Sequence, residues 1–289
     1  MAIRAAGTRC GKTLYLDCQA GIAGDMLVAA LLDLGGKPAL GRLTQMLEKL
    51  SLEGFSVAVT RVKKAGIDCC DFDVKLDAAH ENHDHDMAYL HGLGDTSHDH
   101  DHDHDHEGHH HAHHHHHRSL ADVTAIIDGS QMSDGTKRRA LAIFTALAAA
   151  EAKAHGKTPE TVMFHEVGAI DSIVDICSVA ICLDDLGIED IVVESLSEGH
   201  GTIHCAHGLM PIPVPAVVNL CQAGNIALTP APVAGELVTP TGAAIVAALR
   251  TSEHLPARYR IEAVGYGAGK RPYEGCSGTL RCLLVHVDA

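Results

Sequence analysis

Tryptophan is absent from these 289 residues, and phenylalanine and tyrosine together number nine. A surface that poor in rings is not built to stack on bases. Positive charge is also scarce: the formal net charge is −15 at pH 7, which excludes nonspecific binding to nucleic acid. The ten cysteines form no CxxC pair and keep no regular spacing. Most lie in apolar runs, so they read as buried thiols of a reducing compartment, not a disulfide framework. No run of eighteen apolar residues occurs, so nothing is expected to span a membrane. Residues 1–11 lack the apolar core of a signal peptide, so the expected location is cytoplasmic.

What is present centres on one stretch, Phe164 to Asp175. From Gly168 to Leu186 the chain reads as a helix that is apolar almost all round and therefore buried on most sides. Asp171, Asp175, Ser178 and Cys182 fall on one narrow stripe of it. Two carboxylates one turn apart in apolar surroundings are costly unless a cation, a metal or a polar ligand compensates them. The alternative is plain structure: Asp171 capping or salt-bridging the first turn and Asp175 meeting a buried arginine. His165 and Glu166 stand just before this helix.

Thr13 to Asp17 reads as a buried strand, followed by a glycine-bearing turn, Cys18 to Gly24, and a helix from Asp25 to Leu34 stopped by Gly35-Gly36. A strand, a glycine turn and a helix start can seat an anion, though Asp25 as a simple N-cap explains the same residues. Pro38 to Leu50 reads as a second helix. Phe55 to Lys63 and Ile67 to Leu76 read as a hairpin about Ala65-Gly66.

The composition then changes. Residues 80–117 hold seventeen of the 24 histidines and nine acidic residues, with no Lys or Arg. Such a segment cannot bury a core and is expected to be disordered. His98, His100, His102, His104 and His106 alternate with Asp, and His109, His110 and His111 open a near-continuous run. Imidazole and carboxylate together suit nickel, copper, zinc and cobalt. The segment carries −9 with its histidines neutral and +8 with all of them protonated. Captured metal should therefore be released as pH falls through about 6.5.

Helices follow at Ser119–Ile127 and Asp134–His155, then a strand at Ile191–Ser195. The glycine-rich Glu198–Gly208 holds His200, His204, Cys205 and His207, soft and borderline donors in no standard zinc spacing. Leu209 to Pro215 carries three prolines that forbid a central strand, and a helix covers Ala216–Gln222. Thr239 caps a helix with Pro240 at its first position, which leaves Glu236 and Thr241 unexplained. Tyr259–Gly267 and Thr279–Val287 read as strands about a loop rich in glycine (Gly265, Gly267, Gly269). The irregular alternation predicts an α+β fold, a mixed α/β layered single domain over residues 1–289, interrupted by the His-rich loop at 80–117.

Four stretches carry a family resemblance: Asp17 to Met26, Phe164 to Asp175, Ala206 to Pro215, and Gly235 to Gly242. Their residues and order resemble the LarC nickel-insertion proteins. The resemblance implies nickel insertion into pyridinium-3,5-bisthiocarboxylic acid mononucleotide, giving the nickel-pincer cofactor of lactate racemase. It implies a nickel chelatase of the cyclometallase type that uses CTP with manganese or magnesium. In that family the CTP function belongs to a further C-terminal region, here expected from another part of the protein or a separate chain. An oligomer and contact with the nickel-dependent racemase are also expected. On this basis His165 or Glu166 is the expected base, with Asp171 and Asp175 holding metal. Gly21, Gly24, Asp25, Thr239 and Thr241 are expected at the anionic mononucleotide. Asp17, His207, Glu236 and the histidines of the insert are expected metal ligands. A nickel storage or delivery protein, acting through the His-rich loop alone, is the competing expectation.

Overall fold

The computed structural model describes residues 12–77, 118–164, 168–205 and 208–287. Its centre is a six-stranded sheet in the order β2-β3-β11-β12-β1-β6. These are β1 (Lys12–Asp17), β2 (Phe55–Lys64), β3 (Ile67–Leu76), β6 (Ile188–Val192), β11 (Arg260–Ala268) and β12 (Thr279–His286). Pairing is antiparallel for β2–β3, β11–β12 and β12–β1, and parallel for β3–β11 and β1–β6. A mixed sheet with its helices grouped apart is the α+β class expected. Ala65 (φ 48°) and Gly66 (φ 82°) close the β2–β3 hairpin in the left-handed region that a tight two-residue turn requires.

The first helix, α1 (Gly24–Leu47), packs against β3, β11 and β12. The two helices expected here are one run bent at Gly36, whose φ of 62° and ψ of −160° break the helical path just before Pro38. Gly265 and Gly267 lie inside strand β11, not in a loop as expected. A Cβ at Gly267 would stand 1.9 Å from the Met26 carbonyl oxygen, and one at Gly265 2.1 Å from that of Ala30. The glycines are there because the backbone of α1 lies directly on the strand.

Five helices follow as the apolar spacing predicts. Ser119 caps α2 (Leu120–Gly129), and its hydroxyl and the Asp122 carboxylate satisfy each other's backbone N–H. Helix α3 (Asp134–His155) starts on Ser133 and ends on left-handed Gly156. Helix α4 (Ile170–Asp185) is shorter than the stretch expected, but Ile173, Val174, Ile176, Cys177, Val179 and Ala180 are all buried. It packs between α1 and α3. Helix α5 (Pro215–Gly224) and α6 (Pro240–Leu249) each begin with proline, and Thr239 Oγ1 accepts the Gly242 N–H at 3.1 Å.

The remaining strands form small pairs: β4 (Arg118–Ser119) with β5 (Met163–Phe164), β8 (Thr202–Cys205) with β9 (Gly208–Pro211), and β7 (Ser195–His200) with β10 (Ala227–Ala234). Strand β10 was not anticipated, because Pro230 and Pro232 argue against a strand interior. Among the described residues it pairs with β7 alone, so its other edge has no ladder there for the prolines to interrupt. No described helix is long and apolar enough to cross a membrane.

Candidate functional site

The N-terminal ends of α1 and α4 meet the strap Glu236–Thr241 and the loop between β11 and β12 around a cleft of about 480 Å³. Gly24 and Asp25 come from α1, and Asp171, Ser172 and Asp175 from α4. Thr239, Pro240 and Thr241 come from the start of α6, and Lys270, Arg271 and Tyr273 from the β11–β12 loop. The β8–β9 hairpin adds Ile203, His204, Cys205 and Met210.

Three carboxylates share one wall. Asp175 takes the Asp25 N–H, and its Oδ1 is shielded from solvent with no hydrogen-bond partner among the described residues. Burial, then the neighbouring charges of Asp25 and Asp171, push the Asp175 carboxyl well above its ordinary value, against the pull of Lys270 and that N–H. Two of the structural alternatives for these residues, an Asp171 cap and an arginine at Asp175, are not what is found. The N-cap of α4 is Ala169, without a side-chain cap, and the cation whose field reaches Asp175 is Lys270. Farther along the stripe, Ser178 and Cys182 are fully buried away from the cleft.

Two cations face this wall. Lys270 Nζ lies 2.7 Å from Asp71 and 3.3 Å from Asp73. Burial opposes the ammonium charge, but these partners and Asp25 outweigh it and hold the lysine above its usual value. Arg271 pairs with buried Glu236 at 2.7 Å, and the Tyr273 hydroxyl donates to the Glu236 carbonyl at 2.9 Å. Lys270, Arg271 and Tyr273 were missed from sequence. The adjacent Lys-Arg pair after Gly269, in a chain with 22 basic and 37 acidic residues, was the signal available.

The other expected residues divide. Gly24, Asp25, Thr239, Thr241, Glu236, Asp171 and Asp175 line one cleft. Glu236, expected at a metal, pairs its carboxylate with Arg271. Asp17, also expected at a metal, does not line the cleft: it faces Arg281 across the β1–β12 ladder and accepts from Arg281 Nε at 2.9 Å. Cys18 is buried, and His200 is exposed away from the cleft.

The Gly21–Asp25 turn is also a poorer anion seat than expected. Gly21 N–H donates to Cys18 O at 3.1 Å, Ile22 N–H to Leu237 O at 2.9 Å and Met26 N–H to Asp25 Oδ1 at 2.8 Å. With the Asp25 N–H given to Asp175, an anion there would meet two carboxylates and few free donors. Gly21 serves the fold instead. Its φ is 86°, and a Cβ would stand 2.0 Å from the Leu237 carbonyl oxygen. His165, Glu166, His207, and the insert histidines His98, His100, His102, His104, His106, His109, His110 and His111 lie outside the described residues. Among the described residues, no three His, Cys, Asp or Glu side chains converge to hold one ion.

Gly24 gives a direct test of the acidic wall. A Cβ there would stand 2.7 Å from Asp175 Oδ2 and 3.0 Å from Thr241 Cγ2. Gly24→Ala is expected to displace the Asp175 side chain at a cost of about 1–3 kcal/mol, read as a lower denaturation midpoint with unchanged denaturant slope.

Comparison with known proteins gives a consistent result. The family profile described as "Nickel insertion protein" matches residues 14–289. A "Pyridinium-3,5-bisthiocarboxylic acid mononucleotide nickel insertion protein" of Alkaliphilus metalliredigens is 46% identical over 261 residues, covering 89% of this chain and 57% of the relative. One of the same description from Acetivibrio thermocellus is 41% identical, covering 94% and 60%. A "Putative nickel insertion protein" of Geotalea daltonii is 39% identical, also covering 94% and 60%. The chain thus spans about three-fifths of the length of these curated relatives. No solved structure gives a significant match. A profile match over nearly the whole chain, with relatives near 40% identity, places this chain in the nickel insertion protein family.

Proposed function

We propose that the cleft is where nickel enters pyridinium-3,5-bisthiocarboxylic acid mononucleotide, the substrate in the relatives' description. The observation that carries this is the gathering of Asp25, Asp171 and Asp175 on one wall, with a shielded Asp175 oxygen that no described donor satisfies. Nickel is a substrate here. The organic substrate offers two sulfurs and one ring carbon, three of the donors a four-coordinate ion needs. The protein then has to supply few ligands, which accords with the lack of a three-residue cage among the described residues. Asp25 and Asp171 meet the metal. As the nickel–carbon bond forms, the ring C–H bond breaks and its proton must go to a base. A carboxyl whose pKa burial has raised is suited to take it. Asp175 is that base here, with His165 and Glu166 as the other candidates before α4.

Lys270 and Arg271 supply the positive charge for the phosphate, a role first read for the Gly21–Asp25 turn. The carboxylate oxygens are also donors of the kind manganese or magnesium takes. CTP carrying such an ion would supply phosphoryl chemistry, with the rest of the longer family protein, in the same chain or a second one, contributing to its site. We place the reaction in the cytoplasm, in an oligomer that hands its product to a nickel-dependent racemase.

The test is to mix the purified chain with the mononucleotide, nickel, CTP and manganese, with and without the remaining region of the longer relatives. Metallated cofactor, followed by its absorbance, is the expected product. No mononucleotide binding in either mixture would overturn the proposal. The His-rich segment favours storage as a second role. Deleting residues 80–117 is expected to remove most bulk nickel binding while insertion at saturating nickel continues. Loss of all insertion in that deletion would move the chemistry from the cleft to the insert.

A further inference from the structure

Behind the cleft wall lies a carboxylate that none of the chemistry above uses. Glu198, on β7, is 3% exposed. Its Oε1 accepts three backbone N–H groups: Gly199 at 2.8 Å, Leu237 at 2.8 Å and Val238 at 3.2 Å. Its Oε2 is buried and has no hydrogen-bond partner among the described residues. Two of the three donors belong to the strap that carries Glu236, Thr239 and Thr241 into the cleft. From the strap the same chain of bonds continues to α1: Leu237 O accepts the Ile22 N–H at 2.9 Å, and Ile22 O accepts the Thr239 N–H at 3.1 Å. Ile22 and Val238 form an isolated parallel bridge. Without Glu198 the strap would leave two inward N–H groups buried and unmet.

We propose that Glu198 is a positioning residue for the cleft: one carboxylate oxygen ties the strap to β7 and so holds Glu236, Thr239 and Thr241 in register with the N-terminus of α1. The strap's outer side is held separately, by Arg271 on the Glu236 carboxylate and Tyr273 on the Glu236 carbonyl. Glu198 is the inner fastening, and it makes both of its strap contacts through one carboxylate oxygen.

The charged and titratable groups facing Glu198 are Glu236 on the strap, Cys221 on α5 and Tyr273 on the β11–β12 loop. Burial pushes its carboxyl up to about 7, with Glu236 adding to the rise and the three N–H groups opposing it. A strap lifted into solvent would return Glu198 to its ordinary value. The closed strap therefore binds the proton more tightly than the open one. Closure is firmest below the ordinary carboxyl value, weakens as pH climbs from there to about 7, and is level above that.

Amide hydrogen exchange at Leu237 and Val238 tests this directly, as protection factors corrected for the intrinsic rate at each pH. In the wild-type chain, protection is expected to be level below about pH 4, to fall about tenfold or more between pH 5 and 7, and to level off above about pH 7.5. Glu198→Gln keeps an acceptor oxygen but cannot titrate, so its protection should stay within about threefold of the wild type's low-pH plateau and show no pH slope. Glu198→Ala should lower protection about tenfold or more at every pH. Unchanged protection in Glu198→Ala, or a pH slope that survives in Glu198→Gln, would overturn the positioning role. A second arm rests on the mononucleotide proposal: calorimetric affinity for the mononucleotide should fall in Glu198→Ala and recover in Glu198→Gln. If the wild type itself fails to bind, the functional proposal is lost while the exchange data still decide the role of Glu198.

Discussion

Asp175→Asn is expected to slow nickel insertion by about a hundredfold or more, the usual loss when a positioned base is removed, and to make the protein more stable. Both effects come from one cause. Burial, Asp25 and Asp171 raise the Asp175 carboxyl well above 3.8, its ordinary value. A group whose folded value is raised contributes stability that is complete below its unfolded value and is lost as pH climbs through the folded one. Above the unfolded value, the native protein thus bears the cost of either holding the proton or burying the charge. The amide carries no such cost. Its stability advantage should grow as pH rises from about 4, reaching on the order of 1 kcal/mol, the scale of many function-relieving substitutions. Denaturant titrations at pH 5 and pH 8 would measure the gap, and absorbance of the metallated cofactor the rate. A variant that keeps the full rate would pass the base role to His165 or Glu166. One that is less stable at pH 8 than the wild type would mean the carboxylate is compensated in the folded protein.

How far such residues could be read in advance depended on whether the signal was local. Helix starts were legible because their chemistry is contained in a few neighbours: Ser119 with Asp122, Ser133, and Thr239 with Pro240. The β2–β3 hairpin followed from strong strand patterns about Ala65-Gly66. Asp171 and Asp175 stood out because a carboxylate in an apolar helix breaks its own pattern, and both line the cleft. What failed was pairing over long sequence distance. Nothing near Asp17 in the sequence announces its partner, Arg281, which lies 264 residues away on the neighbouring strand. Gly265 and Gly267 looked like loop residues because the helix that lies on them, α1, is more than two hundred residues earlier. Strand β10 was hidden by prolines that only an unpaired edge tolerates. Lys270 and Arg271 were passed over since nothing local says that one faces Asp71 and Asp73 and the other Glu236.

The last of these pairs carries the largest expected effect on folding. Arg271 is 17% exposed and Glu236 6%, and Nη1 to Oε2 is 2.7 Å, so neither charge has much water to fall back on. Removing one member of a buried pair strands the other, a loss of about 3–5 kcal/mol. Arg271→Met is expected to fall in that range, because Glu236 would keep its charge beside Glu198 with its cation gone. The double variant Arg271→Met with Glu236→Gln removes both charges and should recover about half or more of the loss, since a neutral replacement of a buried pair is often tolerated. A denaturant cycle over the four proteins would give the coupling. Additive losses would mean that Arg271 acts through packing on Tyr273 and not through the Glu236 charge. Mononucleotide binding should not recover with stability in the double variant: the fold would be repaired, but the cleft would have lost one of the two cations proposed to receive the phosphate. Recovery of both together would leave Lys270 as the phosphate's sole anchor among the described residues and would confine Arg271 to holding the strap.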